Sequence, residues 1–180
     1  MSILKVARMG HPVLRAKARP LEKTEILSVS VQKLIDDLFD TMREYHGVGL
    51  AAPQVHEELR LFVASLDAGE PEADRETEPP EPIAVINPEI VIVDATVVED
   101  WEGCLSIPDI RGRVPRAREI RVRALDRAGG RFELRAHGFP ARVIQHETDH
   151  LDGVLFLDRM ASFESLTFLE EYARYHKDES

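Results

Sequence analysis

The apolar residues of this chain change their spacing twice along the sequence, and this change most restricts the possible folds. Over residues 31–45 they recur every three or four positions, as on one face of a helix. Over residues 59–136 they form short apolar runs and two-residue alternations typical of strands. Helical spacing returns over residues 140–151 and 162–176. The order of helix, several antiparallel strands and helix predicts an α+β fold.

The boundaries of these elements are predicted from local signals. Gly47 and Gly153 are expected to end the first and second helices, and Pro140 suits a first helical turn. The Gly129-Gly130 pair predicts a hairpin turn. Strands are expected at residues 59–66, 83–86, 90–99, 119–126 and 132–136. An apolar stripe on the last helix is expected to pack on the body of the protein and comprises Leu166, Phe168, Leu169 and Tyr172.

Residues 67–82 differ in composition from the rest of the chain. This segment, DAGEPEADRETEPPEP, contains seven acidic residues, one arginine and four prolines. It cannot bury enough apolar surface to offset the entropy lost on ordering. We therefore expect an acidic, proline-rich surface loop within a single domain over residues 1–180. A linker between two domains is the alternative.

The overall charge excludes some classes of function. The chain has 33 acidic and 23 basic residues and a net charge of −10, which disfavours direct binding to nucleic acid or to an anionic membrane surface. No uncharged apolar run approaches the length of about 18 residues that a membrane-spanning helix needs, and the first residues do not resemble a signal peptide. We expect a cytoplasmic protein. With Cys104 as its single cysteine, the chain can form no internal disulfide.

Residues 146–150 read His-Glu-Thr-Asp-His, an HExxH pattern within the second predicted helix. Residues four apart lie on the same helix face, so His146 and His150 can bind one metal ion, and Glu147 can accept a proton beside it. The alternative is an exposed helix face that contacts only solvent. A catalytic metal usually has three protein ligands. Candidates for the third are Cys104, which could instead be a small buried side chain, and Glu170 or Glu171.

Three separated motifs together resemble those of the peptide deformylase family. They are GVGLAAPQ at residues 47–54, EGCLS at residues 102–106 and QHETDHL at residues 145–151, in the order of the family. The similarity extends from GHPVLR at residues 10–15 to about Met160. The resemblance implies a metallohydrolase that removes the formyl group from the formyl-methionine of nascent polypeptides. It also implies that the second helix is a central metal-binding helix with antiparallel strands packed around it.

The resemblance further implies the roles of individual residues. One ion, Fe²⁺ with Zn²⁺, Ni²⁺ or Co²⁺ as possible replacements, would be held by Cys104, His146 and His150. A metal-bound hydroxide would attack the formyl carbon, with Glu147 as general base and then general acid. The Gln54 side chain and the Leu105 backbone N–H would stabilise the oxyanion. By their positions, Glu102 and Asp149 are expected to orient metal ligands, and an ordinary exposed acid is the alternative for Glu102.

The substrate pocket is implied to include Val48, Gly49, Gly103 and Arg142. Arg142 lies one helical turn before His146, so its stem could line the pocket with its head in solvent, or it could belong to a polar helix face. The expected partners are formyl-methionine nascent peptides, with at most transient ribosome contact, because the C-terminal residues are acidic. Two alternatives are another HExxH metallopeptidase, which would leave Cys104 unused, and an inactive deformylase-like binding module.

Overall fold

The computed structural model describes residues 2–66 and 81–177. The predicted acidic loop therefore lies almost entirely outside the described residues. The helices are α1 (Lys23–Ile26), α2 (Val29–Glu44), α3 (Gly138–Leu151), α4 (Phe156–Arg159) and α5 (Leu169–Tyr175). The strands are β1 (Gly49–Ala51), β2 (Leu61–Ala64), β3 (Ile83–Cys104), β4 (Ile107–Leu125), β5 (Arg131–His137) and β6 (Thr167–Phe168).

The strands pair into one sheet, which has six strands within the described ranges. Strands β1 to β5 lie side by side in chain order, and each is antiparallel to its neighbour. Strand β6 pairs with the start of β4, through Ile110 and Arg111. The predicted combination of helices with an antiparallel sheet is confirmed.

Helix α2 forms because its apolar residues share one face and its start is capped. The Ser28 hydroxyl accepts a hydrogen bond from the Val31 N–H, and the inward face is buried at Val31, Ile35, Leu38 and Met42. The helix ends at Glu44, and His46, rather than the predicted Gly47, takes the left-handed conformation (φ 53°). The Gly47 N–H donates back to the Met42 carbonyl and closes the helix end.

Helix α3 lies against the sheet and carries residues 146–150. Its apolar side chains Ala141, Val143, Ile144 and Leu151 pack with residues of β1 to β5 in one core cluster. The chain leaves the helix through Gly153, which has a φ of 73° and lies so close to the Arg15 carbonyl that a Cβ would overlap it. Glycine at this position therefore lets the chain turn away directly after the helix.

Strands β3 and β4 are much longer than the predicted strands. The expected strands at residues 83–86 and 90–99 are parts of one strand that continues to Cys104, and β4 begins at Ile107 rather than at residue 119. The prolines and the glycine between residues 107 and 118 interrupt the apolar alternation that predicts a strand. Pairing with β3 across the hairpin nevertheless keeps these residues in a strand. Cys104 pairs with Ile107, so the cysteine lies beside the tight turn that joins the two strands.

The predicted C-terminal helix is shorter than expected. Residues 162–168 are not helical, because Thr167 and Phe168 pair with β4 and only Leu169–Tyr175 forms α5. Phe168 is 66% exposed, so its assignment to a packed stripe was wrong. In the described ranges, no helix is long and apolar enough to cross a membrane.

Candidate metal centre and substrate pocket

Three side chains that commonly bind metal ions meet where the β3–β4 turn approaches α3. Cys104 comes from the end of β3, and His146 and His150 come from successive turns of α3. The Cys104 sulfur lies 3.2 Å from His150 Nε2, and the three ligand atoms lie within 4.8 Å of one another. All three residues are buried. A thiolate and two imidazoles at such distances form a donor set that suits a tetrahedral metal ion.

Glu102 fixes the orientation of one imidazole. Its carboxylate lies 2.9 Å from Nδ1 of His146, which leaves Nε2 of that ring to face the other donors. A carboxylate behind a histidine holds the ring in place and makes it a better ligand. His150 differs, because its Nδ1 is buried with no hydrogen-bond partner among the described residues.

The charges around the three donors favour a cation. Burial alone would raise the pKa of the Cys104 thiol, but the charges and hydrogen bonds of His150 and His146 hold that pKa well below its ordinary value. The Glu102 carboxyl is also buried, yet hydrogen bonds with His146 and Arg116 lower its pKa. Two buried anionic groups thus face the imidazoles, and a divalent ion would compensate their charge. The residues present therefore fit a metal ion.

Glu147 lies on α3 between the two histidines and is buried. Burial raises the pKa of its carboxyl to about 7, against the opposing charges of His146 and His150. Its Oε2 atom has no hydrogen-bond partner within the described part of the chain. A Cβ at Gly49 would overlap this carboxylate, so only glycine there leaves room for Glu147. A buried, partly unpartnered carboxyl of this kind can accept and return a proton.

Gln54 is also buried, and its amide is held in one orientation. Its Oε1 accepts a hydrogen bond from the Ala51 N–H at 2.8 Å. Its Nε2 consequently points toward the donor cluster, 3.5 Å from the Cys104 sulfur and 3.2 Å from the Ser106 hydroxyl. The side chain therefore presents an N–H donor beside the three candidate metal ligands.

A network of buried charged side chains lies behind the donor cluster. Arg116 donates to Glu102 at 2.8 and 3.0 Å and to Asp149 at 2.6 Å. Asp149 also accepts from Arg159 at 2.7 Å. The sequence motifs did not predict that Arg116 belongs to this network. A signal was present, because Arg116 shares the inward face of β4 with buried Val114, and a buried arginine needs an acidic partner.

Arg142 belongs to the same network, which corrects the expectations for this residue. Its side chain is buried, and its guanidinium donates to Glu102 at 2.8 Å and to the Val98 and Val114 carbonyls at 2.7 Å each. Its head therefore does not extend into solvent, and it is not part of a polar surface face. The reason is that β3 and β4 place carbonyl groups and an acid directly above this position of α3.

A pocket of about 740 Å³ opens beside the donor cluster. Val48, Gly49, Gly103, Leu105 and Arg142, all named from the sequence, contribute to its lining, as do Gln54 and Glu147. Trp101 and Leu169 line it as well and were not predicted. The alternative ligands Glu170 and Glu171 lie on α5 and do not belong to the donor cluster that the described residues form.

Comparison with known proteins identifies the family. A family model described as polypeptide deformylase matches residues 3–165. The chain is 45% identical to peptide deformylase 2 of Nostoc sp. over 171 residues, covering 94% of this chain and 93% of that protein. It is 47% identical to the peptide deformylase of Salinibacter ruber over 167 residues, covering 89% and 82% of the two chains.

Solved structures agree with these relatives. The class I type b peptide deformylase of Acinetobacter baumannii with bound Met-Ala-Ser superposes with a TM-score of 0.80 at 37% identity, covering 88% of this chain and 99% of that chain. The peptide deformylase of Thermotoga maritima gives 0.78 at 38% identity, covering 90% and 100%. The chain therefore belongs to the polypeptide deformylase family, the metal-dependent hydrolases that remove the formyl group from nascent peptides.

Proposed function

We propose that this chain deformylates nascent peptides with one divalent metal ion held by Cys104, His146 and His150. The observation that carries this proposal is the convergence of three buried donor atoms within 4.8 Å beside a buried carboxyl. When bound, such an ion acts as a Lewis acid and lowers the pKa of a water from 15.7 toward about 7. The proposal makes α3 the central metal-binding helix of the fold.

Glu147 is proposed as the group that moves the proton. Its raised pKa, near 7, lets the carboxylate take a proton from the attacking water and the resulting carboxylic acid give it to the departing amine. The absence of a side chain at Gly49 leaves the space that the Glu147 carboxyl occupies, since a Cβ there would overlap it.

Gln54 and Leu105 are proposed to stabilise the negative charge that develops on the formyl oxygen. The Gln54 Nε2–H₂ is held toward the cluster by the Ala51 N–H, and the Leu105 N–H follows Cys104 in the β3–β4 turn. Donors that are already oriented lose little energy in reorganising, and the removal of one such donor commonly costs about 2.7–4 kcal/mol in the transition state. Val48, Gly49, Gly103 and the stem of Arg142 are proposed to contact the methionine of the substrate, since all line the pocket.

The test compares Glu147→Gln with Cys104→Ala. Glutamine cannot take the proton, so turnover of formyl-Met-Ala-Ser should fall about 10⁴-fold while the metal content stays at one ion per chain. Alanine at residue 104 removes a ligand, so metal content should fall along with turnover. Near-normal turnover by metal-loaded Glu147→Gln would disprove the general-base role.

The same assay separates the remaining alternatives. Hydrolysis of unformylated Met-Ala-Ser would indicate a different HExxH metallopeptidase, and an absence of any hydrolysis by metal-loaded protein would indicate a binding module. The position of Cys104 beside His150 favours the deformylase, because a peptidase with a histidine or glutamate third ligand would leave this cysteine unused.

Ferrous iron is proposed as the native ion, with zinc, nickel or cobalt as replacements. A thiolate with two imidazoles suits several of these metals, so the donor set alone does not select one. The proposal of iron therefore rests on family membership. Activity of the iron form should decay in air, because both ferrous iron and the Cys104 thiolate are oxidisable, and nickel or cobalt should slow this loss. Metal analysis of protein purified without oxygen tests the assignment, and air-stable activity in the iron form would contradict it.

The remaining proposals concern the domain, the partners and the location of the protein. We place residues 1–180 in a single cytoplasmic domain, and the family match over residues 3–165 supports one domain. Replacement of residues 69–82 by a short Gly/Ser turn should leave turnover nearly unchanged.

Ribosome contact is proposed to be transient at most, so deletion of residues 175–180 should not change ribosome affinity at physiological salt.

A further inference from the structure

The substrate pocket reaches the C-terminal segment, which is defined here as β6 and α5. The pocket is lined by the metal-binding residues Cys104 and His146 and also by Trp101 and Leu169. A single methionine side chain fills only part of its volume of about 740 Å³. The family model ends at residue 165, so β6 and α5 lie beyond the part of the chain that it matches.

The register of the sheet relates β6, which leads into Leu169, to the residue that precedes Cys104. Gly103, which precedes Cys104, pairs with Arg111 on β4, and Arg111 pairs with Thr167 on β6. Neighbouring strands are about 4.8 Å apart, so Thr167 lies two strand spacings, or about 10 Å, from Gly103. Leu169 follows two residues later, at the start of α5, and lines the pocket from there.

This spacing corresponds to a position along an extended peptide. An extended chain advances about 3.3 Å per residue, so a span of about 10 Å from the strand end that carries Cys104 covers two or three residues of a bound peptide. We propose that Leu169 forms an apolar subsite for the side chain of the second or third residue of the formylated peptide. The inference rests on the proposed function, because it takes the formyl group to lie at the cluster of Cys104, His146 and His150.

Contacts of Trp101 hold this subsite against the sheet. No residue of α5 is fully buried, so the helix depends on a few side-chain contacts for its position. The Trp101 ring meets the Tyr172 ring edge to face, with centroids 5.0 Å apart, and Trp101 itself lines the pocket. Trp101 thus acts as a positioning residue for Leu169.

The chain offers a matched control in Leu166. Leu166 and Leu169 are the same residue type, lie three residues apart and are 38% and 37% exposed. Leu166 lines a separate cavity that includes Ser162 and Glu164, whereas Leu169 lines the substrate pocket. Loss of either side chain should therefore have the same small effect on the free energy of unfolding, but only the loss of Leu169 should weaken substrate binding.

The experiment measures kcat and KM of metal-loaded enzyme with formyl-Met-Ala, formyl-Met-Leu-Ala and formyl-Met-Ala-Leu. Leu169→Ala should raise KM about three- to tenfold for one of the two leucine tripeptides, with kcat unchanged, because lost apolar contact weakens binding without altering the reacting groups. Formyl-Met-Ala, which has only a methyl group at its second residue and no third residue, should change least. Leu166→Ala should match the wild-type enzyme on all three peptides.

A change of charge gives a result that a purely structural role cannot produce. Leu169→Lys should reverse the preference, so that a peptide with glutamate at the affected position is used better than the one with leucine. Calorimetric binding of the deformylated peptides should show the same order without any turnover.

The outcomes distinguish failure of the subsite from failure of the function. If the wild-type enzyme deformylates formyl-Met-Ala but Leu169→Ala and Leu169→Lys treat all peptides as the wild type does, the subsite is disproved. If both variants lose activity equally on every peptide, Leu169 supports the fold instead. If the wild-type enzyme does not deformylate formyl-Met-Ala, the proposed function itself fails.

Discussion

Ion pairs of the same type, arginine with glutamate, occur in two very different surroundings in this molecule. Behind the donor cluster, the side chains of Arg116 and Glu102 are 5% and 4% exposed. On the β4–β5 hairpin, the side chains of Arg123 and Glu133 are 61% and 50% exposed at nearly the same distance, 2.9 Å. Water solvates the hairpin pair whether or not it forms, whereas the buried pair has only its protein partners.

This difference explains why one set of charges can orient the imidazole of His146. Glu102 is held by Arg116 and Arg142 and in turn holds His146, so the imidazole has little freedom to rotate. The side chains of Arg123 and Glu133 are exposed, and neither residue lines the pocket beside the donor cluster. Burial therefore decides which ion pairs matter for function.

The largest effect should follow from Glu102→Gln. The amide removes the charge that Arg116 and Arg142 share, and loss of one partner of a buried pair typically costs about 3–5 kcal/mol of folding free energy. Metal affinity should also fall about 10–100-fold, because His146 loses its orienting carboxylate. Urea unfolding and competition with a metal chelator measure the two effects. A loss of less than 1 kcal/mol would mean that the buried network does not stabilise the fold.

A smaller effect is expected from Arg142→Lys. Lysine keeps the charge but cannot reach Glu102 and the Val98 and Val114 carbonyls together, so about 2 kcal/mol of folding free energy should be lost. Urea unfolding measures this loss, and turnover should change less than in Glu102→Gln, since Arg116 still holds Glu102. Equal losses of metal affinity in the two variants would show that Arg142, rather than Glu102, controls the orientation of His146.

The smallest effect should come from Arg123→Ala on the exposed hairpin. The free energy of unfolding should change by less than about 0.5 kcal/mol, and metal affinity should not change. A double-mutant cycle of Arg123 with Glu133 should give a coupling of about 0.2–1 kcal/mol that decreases in high salt. A salt-independent coupling above 2 kcal/mol would remove the distinction between the two regions.

Much of the secondary structure was predictable from local patterns. The α2 and α3 helices and the β4–β5 hairpin follow the apolar spacing and the positions of glycine and proline. The full lengths of β3 and β4 were not predictable, because the last residues of β3 and the first residues of β4 are held by pairing with each other rather than by their own preference. The β6 strand was predicted as helix for the same reason, since the partner at Ile110 and Arg111 is distant in the chain.

The sequence by itself determined which chemical groups this protein has. The spacing of His146, Glu147 and His150 places them on one part of a helix, because helix geometry is local. The three motifs are sufficient to indicate the family, and Cys104 lies within one of them.

Only the tertiary structure decided how these groups are arranged. It brought Cys104 to 3.2 Å from His150 across 46 residues, buried Arg142 against Glu102 and placed Leu169 in the pocket beside Cys104. These contacts depend on strand register and on the packing of α3 and α5 against the sheet. Such long-range packing sets distance, burial and pKa, and no local sequence pattern specifies it.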